Sequence, residues 1–207
     1  MNADAQSARD DLAFLRALVG DDASSQSRSF GEAYFASGLI YGGQMLLHAA
    51  QALGWISWGP LPALLIGVGP TIVFIPVLSW IIYRNRKNTA RGAVGRAVAA
   101  VFAAIGLANL FLIAVIGSVA WREHSATTWL IYPCAVFVLQ GAAWLFAYMM
   151  RRRAWLLAVA LGWFACAVAM AICVTALGYF ILFAGAGLWV CMALPGWLML
   201  RQAARMA

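Results

Sequence analysis

LSWIIYRNRKNTARGAVGRAVAAVF, residues 78–102, sets apolar runs on both sides of a loop that holds Arg84, Arg86, Lys87, Arg91 and Arg96. An apolar run that stops at a cluster of fixed charges and resumes beyond it is the pattern of two membrane spans joined on the cytoplasmic side. Extending that reading along the chain gives six apolar stretches: Ala33 to Leu53, Leu61 to Tyr83, Ala97 to Ala120, Trp129 to Met150, Ala154 to Thr175 and Leu177 to Leu200. Each holds roughly 20 or more residues, enough at about 1.5 Å per residue to cross a hydrocarbon core of about 30 Å.

The charges then alternate. Arg9, Arg16 and Arg28 precede the first span, Arg151, Arg152 and Arg153 separate the fourth from the fifth, and Arg201 and Arg205 follow the last. With the loop quoted above, thirteen of the fourteen Lys and Arg residues fall on one side, and only Arg122 falls on the other. The positive-inside rule puts both ends in the cytoplasm. The expected architecture is an all-α, polytopic six-helix transmembrane bundle, residues 30–201, with a short cytoplasmic tail at 202–207. A composition of 65% hydrophobic and 10% charged residues excludes a soluble domain with an ordinary polar surface.

The net charge of +7 would point to nucleic acid in a soluble protein. Here the charge lies beside span ends, so no nucleic-acid partner is expected, and Arg84, Arg86, Lys87, Arg151, Arg152 and Arg153 are expected to meet anionic lipid headgroups. Arg outnumbers Lys thirteen to one, a bias that fits a GC-rich bacterial genome and an inner-membrane location. Aromatic belts reinforce the topology: Trp80, Tyr83, Tyr148, Trp155 and Trp197 toward the inner face, with Trp55, Trp58, Trp121, Trp129 and Tyr179 toward the outer.

Residues 1–29 read as a cytoplasmic lead. Ser7 and Asp10 match a capping box, and Leu12, Leu15, Leu18 and Val19 recur at helical spacing, which predicts an amphipathic helix from about Ala8 to Val19. Two Arg against five Asp in residues 1–22 disfavour anionic lipid as its support. A cytoplasmic protein partner, or the basic loops of the same chain, fits better. Asp21 to Ser29 reads as a tether, and no cleavable signal is expected in this acidic start.

The cores of the six stretches hold no Asp, Glu, Lys or Arg, whereas proton pumps and ion-coupled carriers usually place an ionisable group at depth. Glu32 lies at the inner boundary of span one. Paired carboxylates, HExxH and phosphate-binding glycine loops are missing, so no catalytic residue, metal or cofactor is assigned. Cys134, Cys166, Cys173 and Cys191 lie inside spans without CxxC spacing; they read as small hydrophobes, with Cys134 and Cys173 the pair level enough for a disulfide.

What remains is a polar stripe on span one. Tyr34, Ser37, Tyr41, Gln44, His48 and Gln51 recur in steps of three and four, so they share a helix face, and Gly38 with Gly42 makes a GxxxG step beside them. The stripe predicts that neighbouring helices enclose span one. Gln44, Asn109 and Gln140 fall near the middles of spans one, three and four, and with Tyr41 and His48 they form the candidate ligand site, a polar layer at the midplane. Interhelical glue and a small-solute site both require that orientation. His48 reads as a hydrogen-bonded structural histidine, since His124 in an outer loop is the only other one. In span two, Pro70 and Pro76 remove backbone donors and free the carbonyls of Ile66 and Ile72.

Three function classes remain: a non-catalytic sensor, regulator or assembly factor; a small-solute carrier or channel along span one; and a redox or haem protein using His48.

Overall fold

The computed structural model describes residues 22–85 and 93–206. Helix α1 runs Asp22–Ala52, α2 Pro60–Asn85, α3 Ala93–Glu123, α4 Ala126–Arg151 and α5 Ala154–Ile172. The last rod is continuous: α6, Leu177–Leu188, passes through a π turn, Trp189–Ala193, into α7, Leu194–Met206. No strand occurs among the described residues. Helices α2, α3, α4, α5 and the α6–α7 rod are long and apolar enough to cross a membrane. Helix α1 is equally long, but its polar stripe keeps it out of that group.

Helix α1 extends further toward its N-terminus than the apolar pattern implies. Residues 22–29, expected as a tether, are helical, because no Gly or Pro interrupts them and Arg28 pairs with Glu32 one turn on at 3.3 Å. The predicted helix at 8–19 and its acidic residues lie outside the described residues, as do Arg86, Lys87 and Arg91.

Helix α1 packs chiefly on the last rod. The two run antiparallel, and glycines set their spacing: a Cβ on Gly38 would overlap the backbone nitrogen of Ala193, one on Gly42 would overlap the Trp189 indole, and one on Gly196 would overlap the backbone nitrogen of Phe35. Gly185 faces Leu46 on the same seam, and Gly31 lies 3.1 Å from the Gly196 oxygen measured from its ideal Cβ. In lipid, where apolar contact alone gives little drive for association, such backbone approach supplies dispersion contact that a larger residue would prevent.

The remaining helices follow in order around the bundle. The rod packs on α5, α5 on α4 and α4 on α3, while α2 lies chiefly against α1. The core is aromatic: Trp144, Trp163, Phe137, Phe180 and Tyr34 are buried, with Phe30, Phe102 and Trp155 packed against them. Helix ends close locally. Ser125 caps α4 by accepting from Thr128 N at 3.1 Å, and Arg152 ends it in the left-handed region, φ 51°.

Candidate functional site

The stripe on α1 turns away from the surface along its whole length. Tyr34 and Ser37 are buried, Tyr41, Gln44, His48 and Gln51 are half-buried, and the exposed large hydrophobic side chains described on this helix are Leu39 and Leu47. Steps averaging 3.5 residues drift by about 20° per seven residues against a helix of 3.6 per turn. The stripe therefore winds from one neighbour to another.

At its N-terminal end the stripe meets α4. The Tyr34 hydroxyl accepts from Trp144 Nε1 at 2.8 Å and donates to Gln140 Oε1 at 3.0 Å. Phe30 stacks on Tyr34 with ring centroids 4.9 Å apart, and Phe102 of α3 and Trp144 meet it edge-on. Ser37 donates back to the Ala33 carbonyl at 2.8 Å and lies 3.7 Å from Met192 Sδ.

Further along, the stripe faces α2. Tyr41 packs edge-on against Phe74, with centroids 5.2 Å apart, and Gln44 Nε2 donates to the Gly67 carbonyl at 2.9 Å. Gly67 is next to Ile66, whose carbonyl loses its usual partner to Pro70, so the amide seats where proline has loosened the helix ladder. A second tie holds the far end of α2. Glu32 accepts from Arg84 and from Asn85 Nδ2 at 3.4 Å, and Arg84 also lies over the Trp80 ring, 4.4 Å from its centroid.

The three amides expected at one level do not bond to one another. Gln44 goes to α2, Gln140 goes to Tyr34, and Asn109 Oδ1 is buried without a hydrogen-bond partner among the described residues. Hydropathy centred span one near Gln44; the helix itself is centred on Ser37, which brings Tyr34 rather than Gln44 beside Gln140. His48 makes no side-chain hydrogen bond among the described residues, and it is separated from His124, which sits at φ 49° in the α3–α4 turn beside an open recess of about 400 Å³ with Trp121 and Trp129. No group of three His, Cys, Asp or Glu side chains among the described residues is placed to hold a metal ion.

Tyr34 and Trp144 are the polar groups the candidate set omitted. The signal for them was present, since Tyr34 opens the stripe and Gln140 and Trp144 share a face one turn apart on α4. All four cysteines are free thiols. Comparison with protein-family models, with curated proteins and with solved structures returns no match.

Proposed function

We propose that the chain is a six-span protein of a bacterial inner membrane, with both ends cytoplasmic, that acts without catalysis as a regulator or assembly factor. The observation that carries this reading is the use of the polar groups: Tyr34, Ser37, Gln44 and Gln140 bond within the bundle, while α2 and α3 leave most of their apolar surface uncovered. An amide already bonded to a neighbouring helix stabilises that contact and gives a passing solute little to bind. A helix held along one side, as α2 is, offers its other faces to lipid or to the helices of a partner. The acidic residues of the first 22 positions supply the cytoplasmic contact, and the basic span ends meet anionic lipid.

A small-solute carrier is the second reading, favoured by the unpartnered Asn109 carbonyl and by Gln44 lying against the proline-broken helix. In-membrane photo-crosslinking from Leu65 and Ile72 on α2 separates the two. The regulator predicts a discrete protein adduct that disappears when residues 1–22 are deleted. Lipid adducts alone, together with solute flux in liposomes that Gln44→Leu abolishes, would replace it with the carrier.

A further inference from the structure

The connection between α4 and α5 is two residues long, and with the last residue of α4 it reads Arg151, Arg152, Arg153. Three full positive charges are therefore fixed on successive Cα atoms about 3.8 Å apart. Their surroundings do not balance them. Arg28 and Arg84 share Glu32, and Arg201 lies over the Trp197 ring, 5.2 Å from its centroid. The side chains of Arg151, Arg152 and Arg153 make no hydrogen bond or ion pair among the described residues, although Arg151 is half-buried.

The backbone adds donors at the same place. Arg152 closes α4 at φ 51° by donating its N–H to the Tyr148 carbonyl, in a left-handed conformation that costs a residue with a Cβ about 1–2 kcal/mol. Arg153 then stands as the N-cap of α5 with an extended backbone and no capping side chain, and no acid occupies the first turn. The first amides of α5 thus open beside the arginines uncapped. The partial charge at the C-terminus of α4 and that at the N-terminus of α5 offset each other here, which leaves the arginine charge whole.

Beyond the turn lies a surface for hydrocarbon. Ala154, Ala158, Leu161, Ala165, Val168 and Ile172 are exposed and recur in steps of four and three, so they form one stripe parallel to the axis of α5. Alanine at 154 and 158 keeps the part nearest the arginines shallow. Tyr148 and Trp155, both half-buried, flank the turn as aromatic residues do at the level of lipid headgroups.

We propose that the α4–α5 turn is a binding site for a lipid phosphate monoester of the phosphatidic acid type, its phosphate held by Arg151, Arg152 and Arg153 and one acyl chain lying along the exposed stripe of α5. This rests on the reading that the basic span ends meet anionic lipid, and narrows it to one place and one headgroup. A monoester presents three unesterified oxygens and roughly two negative charges, whereas a diester such as phosphatidylglycerol presents two oxygens and a single charge. Three guanidinium forks beside uncapped amides supply more donors than one diester can accept, which favours the monoester. A soluble phosphate ester has no hydrocarbon to lay on the stripe.

The test reconstitutes the full chain in phosphatidylcholine nanodiscs that hold equal small fractions of phosphatidic acid and phosphatidylglycerol with the same acyl chains, and counts retained lipids by native mass spectrometry. The expected result is one phosphatidic acid per chain. Arg151→Gln with Arg152→Gln should lower its retention about tenfold, the loss of a charge-assisted bond, while Arg201→Gln with Arg205→Gln should change it by about twofold or less. Phosphatidic acid with a photoactivatable acyl chain, used on the unaltered protein, should label α5 between Ala154 and Ile172, and excess inorganic phosphate should not reduce the labelling. Equal retention of the two anionic lipids, with both arginine pairs mattering alike, overturns the site and leaves a general contact between basic span ends and anionic lipid. Retention of neither overturns that reading as well. Labelling spread over α2 and α3, or lost to inorganic phosphate, also overturns the proposal.

Discussion

The seam between α1 and the last rod and the contact between α1 and α2 are built on the same helix by opposite means. The seam is made by glycines that bring backbone against backbone, at Gly38 with Ala193 and at Gly196 with Phe35. The α2 contact is made by a few directed bonds: Gln44 to Gly67, Arg84 and Asn85 to Glu32, and the Tyr41 ring on Phe74. Glycines 67 and 69 on α2 have nothing within 4 Å of an added Cβ. The difference separates a permanent structural joint from a helix that can exchange neighbours, because close packing tolerates no displacement whereas single bonds can break one at a time.

The largest effect is expected at the seam. Gly38→Ala forces a methyl into the backbone of the π turn and should destabilise the fold by about 1–3 kcal/mol, the usual range for overpacking. Thermal unfolding in detergent followed by size-exclusion chromatography reads it, and an unchanged midpoint would show that the seam has slack. Next comes Tyr34→Phe, which strands the Trp144 N–H and the Gln140 carbonyl in a buried setting, at a cost of about 1–3 kcal/mol.

Smaller effects belong to α2. Glu32→Gln removes the charge shared by Arg28 and Arg84; with both arginines partly exposed, the loss should be about 1 kcal/mol or less, but hydrogen exchange over Trp80 to Asn85 should quicken while the seam stays protected. Equal quickening of α7 would mean that α2 and the seam are one unit. Gly67→Ala closes the series: with open space around it, the change should be neutral or stabilising by roughly 0.5–1 kcal/mol through helix propensity. A marked loss there would reveal a partner packed against α2.

The succession of long apolar helices and the polar step along α1 were legible, because both follow from local pattern, apolar length for the first and the 3.5-residue step for the second; where α1 begins was not. Gly38 and Gly42 were legible as a contact step for the same reason, though nothing local identified the π turn as what they touch. That Gln44, Asn109 and Gln140 go to separate places instead of bonding one another was not legible. Depth along a helix depends on where the helix starts, and residues 22–29 continue α1 where the sequence reads as a tether. The slow drift of the stripe then sends Tyr34 to α4 and Gln44 to α2, an outcome set by which helices become neighbours.

The central claim is that α1, the most polar of the long helices, crosses the membrane under the shelter of its neighbours. Topology reporters fused after Trp58 and after Arg86 test it most directly, since they bracket the ends of α1 and α2. The account predicts an external signal after Trp58 and a cytoplasmic one after Arg86. A cytoplasmic signal after Trp58 would place α1 on one side of the bilayer and contradict the account.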